Sequence, residues 1–95
     1  MNNKIYEYDE MIHPIPEKGG AYVVFPWDVR EEFKKGRAKV QVTFDREIYN
    51  GSVVNMGLKN PDGSVCYIIG ITKEIRRKIN KQGGDTVHIT VRERF

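Results

Sequence analysis

Two stretches of the chain match at a fixed offset. Phe25-Pro26-Trp27-Asp28-Val29-Arg30-Glu31-Glu32-Phe33 lines up with Ile71-Thr72-Lys73-Glu74-Ile75-Arg76-Arg77-Lys78-Ile79, 46 residues later. Past a one-residue insertion near Gln82, Val40, Val42 and Phe44 fall opposite Val87, Ile89 and Val91, now 47 apart. Each half reads strand, short helix, strand, with halves of about 20–45 and 66–92. Such a repeat narrows the architecture sharply. It leaves the chemistry open.

The local signals fill in the unit. Asp28 is a helix N-cap with Glu31 three residues on, as in a capping box, and Val29 and Phe33 give one apolar stripe. Lys34 and Lys35 suit a helix C-terminus, and Gly36 is expected to end the helix in a left-handed turn. Arg37 to Asp45 then alternates, with Ala38, Val40, Val42 and Phe44 facing in. In the second copy Thr72 is the cap, Ile75 and Ile79 the stripe, and Val87, Ile89 and Val91 the inward positions of the strand that follows. Between the copies lie a turn at Asp45-Arg46-Glu47, a strand from Ile48 to Asn55, and the β-turn Asn60-Pro61-Asp62-Gly63. Gly51 is expected to mark a bulge or a close backbone approach. Lys4 to Ile12 reads as a polar edge strand, His13 to Gly20 as a loop, and Ala21 to Phe25 as a strand covered on both faces.

Six strands are too few for two packed sheets, and an open sheet would leave long edges exposed. The reading is therefore mainly β: a closed six-stranded, Greek-key-like β-barrel with two short helices and a pseudo-twofold axis, forming a single domain over residues 1–95.

The string Gly20 to Phe33, Gly36-Arg37, Gly51-Ser52, Asn55-Met56-Gly57, Gly70 to Arg76 and Gly84 to Val87 resembles the small bacterial domain-of-unknown-function 1905 family, over nearly the whole chain from Lys4 to Arg92. That resemblance implies a closed six-stranded Greek-key barrel and carries no activity, ligand or catalytic residue. The chain departs from the usual pattern at Arg46 and in the Leu58 to Ser64 loop. A shorter stretch, Ile71 to Arg76 with Gly84 to Ile89, is similar to the half-barrel of AbrB-type transition-state regulators, in which two chains pair and bind DNA. The shared elements are those any such unit needs to fold.

Composition excludes several classes. Ninety-five residues make one small domain. No apolar run approaches the ~20 residues of a membrane span, and Met1 to Glu10 lacks an apolar segment of signal-peptide type, so the expected location is the cytoplasm. The one cysteine, Cys66, sits in an apolar run and reads as a small buried hydrophobe. Two histidines, His13 and His88, without cysteine or histidine pairs at ligand spacing, speak against a metal site, and no cofactor is expected. The net charge of +3 divides unevenly, −4 over residues 1–33 and +7 over residues 34–95.

No catalytic constellation is legible. Ser52 and Ser64 lack a nucleophile-elbow context, and the adjacent acids Asp9-Glu10 and Glu31-Glu32 point apart. An enzyme would need an acid–base pair that only folding assembles. The preferred reading is a non-enzymatic module that binds a small molecule, peptide or protein partner, with Trp27, Arg30, Asn55, Met56, Lys73 and Arg76 as candidate residues. Four of them have a plainer role beside this one: Trp27 as packing over the barrel mouth, Met56 as core filler, Arg30 and Arg76 as partners of acids such as Asp28 and Glu74. The alternative is nucleic-acid binding through the helix expected over Lys73–Lys81, using Lys73, Arg76, Arg77, Lys78 and Lys81. Its plainer counterpart is a solvated helix face.

Overall fold

A computed structural model describes residues 3–16 and 18–94. Seven strands and two helices follow one another as β1 (Tyr6–Met11), β2 (His13–Ile15), β3 (Gly20–Phe25), α1 (Val29–Phe33), β4 (Ala38–Phe44), β5 (Glu47–Lys59), β6 (Val65–Gly70), α2 (Lys73–Lys78) and β7 (Thr86–Glu93). All ladders are antiparallel, and the strands lie in the order β1-β7-β4-β5-β6-β3-β2.

The sheet is an open half-barrel of seven strands, which corrects the closed barrel of six. The seventh strand comes from the stretch read as a loop. His13 to Ile15 pairs with Gly20 to Tyr22, and Pro14 is tolerated there because β2 is an edge strand. Glu17, in the same stretch, lies outside the described residues. β1 and β2 stand at opposite ends of the sheet yet are joined through a single residue, Ile12, which is fully buried. The sheet must therefore curl until its two ends meet. At that seam β1 and β3 form no ladder. The Tyr8 hydroxyl instead donates to the Val24 carbonyl at 3.0 Å, and the rings of Tyr6, Tyr8, Phe25, Trp27 and Phe33 pack together.

The alternating strands put Val40, Val42 and Phe44 of β4 and Val87, Ile89 and Val91 of β7 fully inside, as their pattern predicts. Val29, Phe33 and Ile75 close the core from the helices, with Ile79 partly buried against it. Cys66 is buried, as expected of a small hydrophobe. The ladders pair Val23 with Ile69 and Thr43 with Thr90, residues 46 and 47 apart. Because β3 and β6 are antiparallel, α1 and α2 leave the sheet at opposite ends.

Local expectations divide. Asp28 accepts from the Arg30 and Glu31 backbone N–H groups and Thr72 from that of Ile75, so both caps form. The left-handed residue that ends α1 is Lys34, at φ 59°, two positions before the expected Gly36. α2 stops at Lys78 and not Lys81, followed by a left-handed Asn80 at φ 58°. Gly51 sits in regular pairing with Val40, so there is no bulge at that point. Nor does another backbone come close: a Cβ there would fall 2.6 Å from the ring of Tyr49, a side chain that would have to shift to admit it. The irregular register comes later, between Asn55 and Lys59.

Candidate binding cleft

The turn that follows β3 and the hairpin that joins β5 to β6 face each other across a cleft of about 410 Å³. One wall is Phe25-Pro26-Trp27-Asp28 with Arg30 on the first turn of α1. The other is Asn60, Asp62, Ser64, Val65 and Tyr67. The volume falls at the lower end of the range typical of small-ligand sites.

Each lining group is held for a local reason. Trp27 packs on Tyr6, Tyr8 and Phe25 at ring-centroid distances of 4.9, 5.1 and 5.1 Å, so its expected packing role holds while its remaining exposed surface borders the cleft. Asp28 is fixed by capping α1, with the Arg30 N–H at 2.9 Å. The hairpin tip is pinned from within. Gly63 N–H donates to the Asn60 carbonyl at 2.9 Å, and the Asn60 amide donates to Ser64 Oγ and to the Val65 carbonyl. Ser64 gives its hydroxyl and its N–H to Asp62 Oδ1 at 2.6 and 2.9 Å, which holds the Asp62 carboxyl below the usual carboxylate range. Arg30 is the cleft's one cation, exposed, with no carboxylate within ion-pair distance among the described residues. The expected pairing of Arg30 with Asp28 does not form; Asp28 Oδ1 caps α1 instead.

The six candidate residues do not converge. Trp27 and Arg30 share this cleft, Asn55 borders a separate groove with Lys35, Gly36 and Arg37, and Lys73 and Arg76 lie in a third depression with Arg77 and Lys81. The antiparallel β3–β6 pairing is the cause, since it sends equivalent helix starts to opposite ends of the sheet. Met56 is 62% exposed and is not core filler. It sits at the irregularity of β5, beside a left-handed Gly57 whose N–H is taken by Asn55 Oδ1 at 2.8 Å.

The basic depression is largely spoken for. Arg76 donates to the Gly19 carbonyl at 2.9 Å and not to Glu74. Glu74 faces Lys78 at 3.6 Å, and Lys81 is held by Asp45 at 2.9 Å and the Thr86 carbonyl at 2.7 Å. Lys73 and Arg77 alone of the five cations have no such partner among the described residues.

Missing from the sequence reading were Asn60, Asp62, Ser64 and Tyr67. Their turn was legible as a turn, but nothing local says that it stands across from Trp27. That juxtaposition depends on β6 lying between β5 and β3. The same gap hid the one buried charged residue in the described chain, Glu93. It takes an inward position at the end of β7, after Val91, and binds Lys35 at 2.8 Å.

A mainly β domain built as a curled, open antiparallel sheet with two short helices is the class these features define. The chain belongs to the family described as Domain of unknown function (DUF1905), whose model matches residues 11–91. A search of the curated proteins finds no match for it. No helix among the described residues is long and apolar enough to cross a membrane.

Proposed function

We propose that the protein is a binding module whose ligand enters the cleft between the Trp27 corner and the Asn60–Ser64 hairpin tip. The carrying observation is Arg30: an exposed side chain without a carboxylate partner among the described residues, lining the same cleft as Trp27 and Tyr67, whose lining is otherwise acidic or neutral. An unpaired arginine at the rim suits an anionic group, and the half-buried Trp27 ring suits a planar or apolar portion of the same small molecule or peptide end. The ordered hairpin tip keeps Asp62 and Ser64 from collapsing into the space.

Trp27 is the chain's single tryptophan, so its fluorescence reports on this cleft directly. Titration with planar carboxylates, phosphates and short peptides should move its emission for one class. A ligand at about 100 times its dissociation constant adds roughly 2.7 kcal/mol of stability. Arg30→Ala should weaken that ligand about tenfold, or roughly 1.4 kcal/mol. Emission and melting temperature both indifferent to every class would reject the reading.

The same doubling that the sequence suggests is supported by the self-matching pairs Val23–Ile69 and Thr43–Thr90, which are what a twofold through each ladder requires. Nucleic-acid binding through Lys73, Arg76, Arg77, Lys78 and Lys81 has less support, because three of those cations already serve internal contacts.

A further inference from the structure

β5 outruns its neighbour. β4 pairs with Glu47 to Val53 and stops at Ala38, while β5 continues to Lys59. Upstream of Ala38 the chain bends away through Lys34 to Arg37 toward α1, so the side of β5 that β4 occupies lies open from Val54 onward. A groove of about 560 Å³ fills that place, lined by Lys35, Gly36, Arg37, Val54 and Asn55. On the other side, β6 holds β5 at Asn55 and Lys59 and leaves the register irregular between them. Met56 and Leu58, 62% and 38% exposed, lie on this stretch.

An unpaired strand edge offers backbone donors and acceptors to any extended chain. Two features here say which chain. The first is an apolar row across three strands on the sheet face away from the main core cluster, Val24 to Ile68 to Val54, in which Ile68 is buried and Val54 is half-buried at the open edge. A strand added beside β5 would set its own side chain against Val54 and lengthen the row. The second is charge. Lys34 to Phe44 contains four cations and no acid, and Ile48 to Pro61 contains Lys59 and no acid. Lys34 and Lys35 are engaged by Glu31 and Glu93, but Arg37, Lys39 and Lys59 have no acidic partner among the described residues.

We propose that the β5 edge from Val54 to Lys59 captures an extended acidic segment of another protein, which adds to the sheet with an apolar residue against Val54 and carboxylates toward Arg37 and Lys59. The cations that attract such a segment oppose the pairing of this edge with the same edge of a second copy, where they would meet their own kind. This surface is separate from the Trp27 cleft.

The test uses an end-blocked, fluorescein-labelled octapeptide alternating valine and glutamate, with a valine–lysine octapeptide as counterpart, against the full chain. Anisotropy should show the acidic peptide binding and the basic one not, with a loss of at least threefold on a tenfold rise in salt. Amide shifts should concentrate at residues 54–59 and at Gly36-Arg37, and Arg37→Glu or Lys59→Glu should each weaken binding at least fivefold. Both side chains are exposed, and thermal melting confirms that the variants fold. Equal binding of the two peptides, shifts centred elsewhere, indifference to both variants, or no binding at millimolar peptide overturns the proposal. Sedimentation showing self-association through residues 54–59 assigns the edge to a second copy and overturns it as well.

Discussion

His88 stands on β7 with a carboxylate at each ring nitrogen: Asp9 at Nδ1, 2.7 Å, and Glu7 at Nε2, 2.8 Å, both from the neighbouring edge strand β1. Carboxylates only accept, so the ring satisfies both when both nitrogens carry protons. The two nitrogens point apart, which is why three ligand-type residues make a clasp here and not a chelate. The hydrogen bond to Asp9 and then that to Glu7 hold the His88 pKa above its ordinary 6.5. From the loops beside it, Asp45 accepts the His88 backbone N–H at 3.1 Å and is itself paired with Lys81. The sign follows directly. A folded pKa above the unfolded one gives stability that is fully present below about pH 6.5 and is lost as pH rises through the folded value. Proton-detected titration of the imidazole should therefore place His88 above 6.5, and the melting temperature should decline over that window. Asp9→Asn should flatten the decline. A His88 that titrates at or below its ordinary value sinks the clasp. The opposite sign holds for Glu32, kept below the usual range by the Tyr6 hydroxyl and Lys4: its contribution is lost toward acid.

At the scale of elements, both helices are only five and six residues long, so neither is stable on its own propensity. Their caps and the stripes Val29/Phe33 and Ile75/Ile79 hold them to the sheet. Asp28→Ala and Thr72→Ala should each cost about 1 kcal/mol in urea unfolding. Because the helices lie at opposite ends of the sheet, the double variant should cost the sum. A double variant that costs clearly more would mean the two ends are coupled. These features were legible in the sequence because capping and the 3.6 and 2.0 periodicities are local. The same holds for β4 and β7, whose inward residues are those the alternation named. What depended on distant pairing was not legible. Pro14 discouraged a strand at His13–Ile15, and only the free edge of β3 makes one possible. Gly36 is the residue best suited to a left-handed turn, yet the helix ends a residue past Phe33, where Lys34 takes that conformation with its N–H on the Arg30 carbonyl. The cleft was half legible for the same reason: Trp27 and Arg30 are marked by their own segment, whereas Asn60, Asp62, Ser64 and Tyr67 reach them through the order of strands.

For the molecule as a whole, the sheet's openness sets where it is weakest. β5 pairs with both β4 and β6, whereas β1, which pairs with β7 as β5 does with β4, has no ladder to β3. Two residues substitute for that missing ladder. Ile12, wholly buried, carries the chain from one end of the sheet to the other, and its backbone bonds Asp85 and Gly84 at 2.8 Å each. Tyr8 satisfies the Val24 carbonyl and is buried enough that its phenol pKa is driven well above the ordinary value, by burial first and then by Glu10. Ile12→Ala removes packed methyl groups at the point where both ends meet, and should cost about 2–4 kcal/mol. That is a large share of the roughly 5–10 kcal/mol expected of a domain this size. Tyr8→Phe keeps the ring and strands the Val24 carbonyl, for a smaller loss of about 1–2 kcal/mol. Hydrogen exchange separates this view from a uniformly closed barrel. In an open sheet, amides of β1 and β2 exchange through local opening well below the global stability, while those of β4, β7 and the β4-paired start of β5, up to Val53, need full unfolding. Tyr8→Phe should then speed exchange in β1 more than in β4. Equal protection across β1 and β4, unchanged by the substitution, would mean that the seam is as strong as a ladder and that the sheet behaves as a closed one.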